Sequence, residues 1–277
     1  MNIVKASGEK EKFKEEKIVF SLERVGLNHL KAKEIAKEVK GLSKSGIRSE
    51  TILDVVIDLL KRDDPMVAIK YNLKRALMNL GPSGYPFEKY FAGILKEYGY
   101  EVSVGEIVQG HCVNQEVDII ATKGNKRYMV ECKHHSSSGL RSDLKVALYT
   151  YARFLDVKEA WMKDRNPQKF HQAILVTNTR CTSEALKFAS CRKVDVIAWH
   201  YPQNNNLEEL IEKKSLYPIT ILFSLSDKVK TKLLKNDIVF AKDLINIDYK
   251  KFAKKTGVGL NELKKLNNEV QLIYDQS

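Results

Sequence analysis

The sequence predicts an α/β multidomain protein: a mostly helical N-terminal part, a central α/β core with a mixed sheet, and a small helical C-terminal part. Three observations carry this. The 277 residues suffice for two or three domains. The apolar pattern changes period twice, from helical to strand-rich near residue 80 and back to helical after residue 217. Breaker residues, Gly81-Pro82-Ser83-Gly84 and Tyr217-Pro218, fall at both changes. The expected units are residues 1–83, 84–215 and 216–277.

The N-terminal unit opens with a short hairpin, Ile3-Val4-Lys5 and Lys12-Phe13, around Ser7-Gly8. Helices follow from Lys17 to near Gly26, from about Lys31 to Lys40, and from Ser49, a suitable N-cap, to Lys61. A fourth starts after Asp63-Asp64-Pro65, where proline suits the first turn, and ends at Leu80.

The central unit begins with an amphipathic helix, Phe87 to Tyr100, closing on Gly99. Two apolar-rich runs then flank Gly124-Asn125, which reads as a two-residue hairpin turn. With those residues as the loop, Lys123 faces Lys126 and Asp118 faces Glu131. Opposed residues project from one face, as do residues two apart on a strand, so Asp118, Glu131 and Lys133 share a patch. Facing carboxylates repel, and a divalent cation or a nearby lysine relieves that cost. Two carboxylates with a lysine suit magnesium-assisted phosphodiester hydrolysis. A solvated hairpin with Lys133 as a plain counter-charge is the competing reading. The same register puts Glu116 opposite Lys133, either as a substitute ligand or as a salt-bridge partner. Further on come a helix over about 140–155, a strand over 172–178, a helix over 182–190 and a strand over 194–199. Arg141, Lys145 and Arg153 on the first of these helices are candidates for phosphate contacts, or members of a solvated face.

The spacing Asp118-x12-Glu131-x-Lys133 resembles the PD-(D/E)xK nuclease signature, without the Pro that commonly precedes the Asp. The ordered phrases FEKYFAGILKEYGYEV, EVDIIA, VECKHH and ILVTNTRCTSEALKFA are similar to the landmarks of the Mrr-type restriction endonucleases. The resemblance implies a metal held by Asp118, Glu131 and the backbone carbonyl of Cys132, with Mg2+ or Mn2+ as the ion. It implies that Lys133 orients or activates water, and that Glu88 on the first helix completes the shell or tunes Lys133. His134-His135 would flank the site or end the strand; a zinc site with Cys132 lacks a second ligand pair.

Residues 1–80 resemble the ATP-cone, a nucleotide-sensing module of ribonucleotide reductases. The matching residues are Val4-Lys5-x-x-Gly8, Phe13, Lys17-Ile18 and Ala68-x-x-Tyr71-x-x-x-Arg75. The family's opening carries a second basic residue that is absent here. The resemblance implies ATP or dATP as an allosteric ligand on Lys5, Gly8, Lys17 and Arg75; ordinary surface charges are the alternative for Lys17 and Arg75. No Walker A sequence occurs, which argues against a motor ATPase.

In the C-terminal unit, helical stretches at about 225–235, 240–246, 248–255 and 259–272, with Gly257-Val258-Gly259 between the last two, resemble helix-hairpin-helix or SAM-like modules. Such modules hold DNA backbones through turn amides and lysines. The formal net charge of +12 is spread over all three units and suits an anionic partner. No signal-peptide core and no membrane-length apolar run occur, and four cysteines without C-x-x-C spacing fit reduced thiols in the cytoplasm. The expectation is a cytoplasmic, metal-dependent DNA endonuclease responsive to ATP or dATP. The alternative is a catalytically silent, nucleotide-responsive DNA-binding protein. DNA and nucleotide are the expected partners, a membrane is not, and homo-oligomerisation stays open.

Overall fold

A computed structural model describes residues 2–5, 8–164 and 169–275. Ser7 of the expected N-terminal turn lies outside the described residues.

The N-terminal unit is a small three-stranded sheet with four helices. β1 (Asn2–Val4) pairs antiparallel with β2 (Lys10–Lys12) and parallel with β3 (Ile47–Arg48). The helices are α1 (Glu15–Arg24), α2 (His29–Leu42), α3 (Ser49–Asp63) and α4 (Pro65–Met78). Asn28 caps α2 by accepting from Lys31 N–H, and Asp64 caps α4 by accepting from Met66 and Val67. Ser49 is the first helical residue of α3, not its cap; Arg48 holds that place. Leu22, Ala36, Val39, Val56 and Leu60 form the unit's fully buried core.

The central sheet runs β10-β8-β6-β5-β4. Its strands are β4 (Glu101–Gln109), β5 (Asn114–Lys123), β6 (Lys126–Lys133), β8 (Gln172–Thr177) and β10 (Asp195–Ile197). β4, β5 and β6 are antiparallel neighbours, whereas β6, β8 and β10 run parallel, so the sheet is mixed. The two-residue strands β7 (Arg141–Ser142) and β9 (Arg180–Cys181) pair with each other outside it. α5 (Tyr85–Glu97) covers one face; α6 (Leu144–Asp164) and α7 (Ser183–Arg192) cover the other. α6 starts four residues later than expected because Asp143 caps it, accepting from Lys145 and Val146 N–H.

After α8 (Leu207–Glu212) come α9 (Asp227–Lys235), a 3-10 turn at Ala241–Leu244 in place of an expected helix, α10 (Tyr249–Thr256) and α11 (Leu260–Tyr274). The largest core joins α4, α5 and one sheet face to these helices, through Leu77, Phe87, Tyr90, Val130, Phe240 and Leu263 among others. Two buried bonds and one half-buried bond reinforce it: Thr220 Oγ1 donates to Ala76 O at 2.6 Å, Tyr90 Oη to Leu216 O at 2.6 Å, and, half-buried, Tyr274 Oη to Ser215 O at 2.8 Å. Among the described residues no helix is long and apolar enough to cross a membrane.

Candidate active site

The hairpin register is the expected one from Lys123↔Lys126 up to Ile119↔Val130. There the pairing stops, one residue short of Asp118, so the expected backbone pairs Asp118–Glu131 and Glu116–Lys133 do not form. The cause is a break in alternation. Ile119 and Ala121 face the α5 side, yet Val117 and Ile120 both face the α6 side. The facing of the strand changes at Asp118 while its register with β4 stays the same on both sides, so the side chain is re-aimed without an inserted residue. On the neighbouring strand Gly105, left unpaired between Val104↔Ile119 and Glu106↔Val117, takes a left-handed φ of 70°. Asp118 Oδ2 then accepts from the Cys132 amide at 2.7 Å. A side-chain bond replaces the ladder bond and holds Asp118 beside Glu131.

Around this point stand four acids and two cations. Glu131 is pushed up to about 7 by burial and by Asp118, against the pull of Arg153 and Lys133. Glu88 is pushed up to about 7 by burial, then by Asp118 and Glu116. It sits in the first turn of α5, where a helix end favours the carboxylate, and the raised value shows that burial and like charge outweigh that effect. Asp118 is raised by burial, against its bond from Cys132 and the charge of Arg153. The residues expected at the site, Glu88, Asp118, Glu131 and Lys133, therefore feel one another. Lys133 is exposed at the open end of β6, opposite Thr177.

Arg153 is a correction. It is not a phosphate-facing residue on a solvated helix face but is 8% exposed and donates to Glu131 Oε2. Its Nε donates to Gln115 Oε1 at 3.2 Å, and Gln115 Nε2 donates to Asp156 Oδ2 at 2.7 Å. Asp156 also accepts from Cys112 N–H at 2.6 Å. Gln115 and Asp156 were not anticipated. About two and a half turns of α6 separate Arg153 from the helix start at Leu144, and only the fold brings it to Glu131. Arg141 and Lys145 are exposed.

A cluster of buried polar groups holds the end of β6. His135 N–H donates to Asn178 Oδ1 at 2.8 Å, and Asn178 Nδ2 donates back to His135 O at 2.8 Å. His134 Nε2 donates to Leu77 O, at the end of α4, at 2.9 Å. Burial pushes both imidazoles down, so they are neutral groups of the scaffold at pH 7.

The donor set can be tested for a divalent ion. Among the described residues, Asp118 Oδ1 and Glu131 Oε1 accept no hydrogen bond, and Glu88 has no polar partner. Hard oxygen donors with an excess of buried negative charge fit a divalent cation. No three His, Cys, Asp or Glu side chains among the described residues close into a complete metal cage. Two carboxylates and a carbonyl are a set that Mg2+ completes with waters.

In the N-terminal unit, Lys5 and Lys17 both pair with Glu11, whose carboxyl they hold down to about 2. Gly8 forms the turn, with φ of 83° and its N–H on Lys5 O at 2.9 Å. Arg75 pairs instead with Asp54 and donates to Asn72 Oδ1 at 2.8 Å. Among the described residues no ion pair or hydrogen bond joins Arg75 to the hairpin lysines, so two separate groups stand where one was expected.

Comparison with known proteins divides the chain in the same way. It matches the ATP cone domain over residues 1–78, a restriction endonuclease catalytic domain of the Mrr type over 81–203, and the AF1548-like C-terminal domain over 217–274. An uncharacterized protein of Archaeoglobus fulgidus is 39% identical over 181 residues, covering 63% of this chain and 98% of the relative. A crystal structure titled as a protein of unknown function, AF1548, superposes with a TM-score of 0.61 at 35% identity, covering 70% of this chain and all of that one. On this identity across full-length relatives, the chain belongs to the AF1548-like family, and it joins an ATP cone domain to an Mrr-type restriction endonuclease domain.

Proposed function

We propose that the protein is a Mg2+- or Mn2+-dependent endodeoxyribonuclease whose activity responds to ATP or dATP. The observation that carries this is the meeting of Asp118, Glu131 and Glu88 beside Lys133: burial raises the proton affinity of all three, and the charge of Asp118 adds to it at Glu131 and Glu88. Asp118, Glu131 and the Cys132 carbonyl would hold the ion. Once bound, it supplies Lewis-acid stabilisation of phosphate charge and a more acidic water. The chain's own groups do the rest. The Cys132 amide fixes Asp118, and Arg153 fixes Glu131. Lys133 orients the attacking water and offsets charge on the phosphate oxygens as the water oxygen bonds to phosphorus and the bond to one sugar oxygen breaks. Glu88 takes a proton or completes the ion's shell. The exposed lysines Lys250, Lys251, Lys254 and Lys255 of α10 suit a DNA backbone.

One observation favours a second reading, a silent nucleotide-responsive DNA binder: Arg153 already neutralises Glu131. Plasmid cleavage, plain and methylated, with Mg2+ or Mn2+ and with or without ATP, separates the two. Cutting by wild type but by neither Asp118→Ala nor Lys133→Ala supports the nuclease. No cutting alongside retained DNA binding supports the binder.

A further inference from the structure

We propose that the cavity between the cone and the nuclease domain is a nucleoside polyphosphate site built by both domains. It rests on the nucleotide-binding reading of the cone and adds where the ligand sits and what it touches.

The cavity holds about 620 Å3, within the range of small-molecule sites. Its cone wall carries Arg24, Lys70, Lys74 and Arg75. Two of these are already neutralised: Arg24 pairs with Glu208 at 3.0 Å, and Arg75 pairs with Asp54. Lys70 and Lys74 have no ion pair or hydrogen bond among the described residues. Lys74 is pulled down first by burial and then by the charge of Arg180, which outweigh the opposing charge of Glu208. The hairpin lysines differ, because Glu11 saturates both Lys5 and Lys17. Glu212 and Glu208 act on Lys70 and Lys74 only without direct contact, and a polyphosphate would supply the bonded anion that both lack. Glu50, Asp54 and Glu208 also line the cavity, so its wall carries four cations against three acids, and an apolar stretch of Val25, Leu53, Met78 and Trp199 suits the flat face of a base.

The nuclease domain contributes Ser136, Ser137 and Ser138, three hydroxyl-bearing residues that begin three positions after Lys133. The two residues between are held by the Leu77 carbonyl and the Asn178 side chain. A ligand on the serines would therefore bear on the strand that carries Glu131 and Lys133. The nucleotide's effect on cleavage would pass through this segment.

The test is calorimetric titration of the full-length protein with ATP, dATP and inorganic tripolyphosphate. Lys74→Ala and Ser137→Glu are compared with wild type, and thermal melts check folding. Ser137 is exposed, so its variant stays a valid test even if Lys74→Ala unfolds. The expected result is a loss of about tenfold or more in nucleotide affinity for both variants, the scale of a charge-assisted bond, with tripolyphosphate weaker than ATP. Wild-type affinity in both variants, or loss in Lys74→Ala alone, overturns the shared site while leaving nucleotide binding to the cone intact. Equal affinity for tripolyphosphate and ATP overturns the nucleoside part. If wild type binds none of the three, the nucleotide-binding reading falls as well.

Discussion

Arg153 of α6 and Glu131 of β6 form an ion pair in which the side chains are 9% and 14% exposed. Removing one member of such a buried pair strands the other charge. Arg153→Ala should therefore cost about 3–5 kcal/mol at pH 8. The penalty should shrink at pH 5.5, because an unpaired Glu131 takes up a proton there. Urea denaturation at both pH values checks this. An equal loss at both would mean that the arginine acts through packing alone.

Gly93 lies on the face of α5 that meets Phe240 of the C-terminal unit. A β-carbon there would fall within the Phe240 ring, 2.7 Å from Cζ. Phe240 is 6% exposed and packs at a tilt against Tyr90, with ring centroids 5.0 Å apart, so it has little room to yield. Gly93→Ala should destabilise by about 1–3 kcal/mol, the usual cost of overpacking. Adding Phe240→Leu should recover part of the loss. A denaturation series of the two single variants and the double tests it, and strictly additive losses would exclude the contact.

Asn178 is fully buried and clasps both backbone groups of His135. Asn178→Ala leaves a donor and an acceptor unpaired, at about 1–3 kcal/mol each. Asn178→Asp keeps an acceptor for the His135 amide but loses the donor to its carbonyl, so its loss should be intermediate. Because the clasp lies two residues beyond Lys133, the proposed nuclease activity requires that the alanine variant also cleave DNA more slowly than wild type. Melting temperature and single-turnover rate, measured together, report the two effects.

The parts of this architecture that were readable beforehand are those set by local chemistry. Pro65 behind Asp64 marked the start of α4, and Gly124-Asn125 set the hairpin register from Lys123↔Lys126 to Ile119↔Val130. The spacing of Asp118, Glu131 and Lys133 showed the candidate site. What escaped depended on distance in the chain. The change of facing at Asp118 follows from which core each neighbour joins, a property absent from two-residue periodicity. Arg153 looked like one of three helix-face cations, and only the packing of α6 on the sheet turned it inward. β4 was missed although Val102 and Val104 alternate, because Gly105 interrupts the pattern before Ile107. For the nucleotide site, Lys5, Lys17 and Arg75 were grouped by family pattern, whereas Glu11 and Asp54 separate them.

The raised proton affinities of Glu88 and Glu131 make a joint prediction about metal and pH. Both sit near 7 in the folded protein against an ordinary 4.5. The folded state thus holds these protons more tightly than the unfolded chain. Their contribution to stability is greatest below pH 4.5, is lost as pH rises through 7, and is flat above that. A divalent cation binds the ionised acids and competes with the protons. Millimolar Mg2+ should therefore raise the melting temperature more at pH 8 than at pH 5.5, by the linkage between binding and folding. Asp118→Asn should reduce the pH 8 shift, and Glu88→Gln should lessen the pH dependence of metal-free stability between 4.5 and 7. Melting curves across that range, with Mg2+ and with chelator, decide it. A shift of the same size at both pH values would place the ion away from these carboxylates.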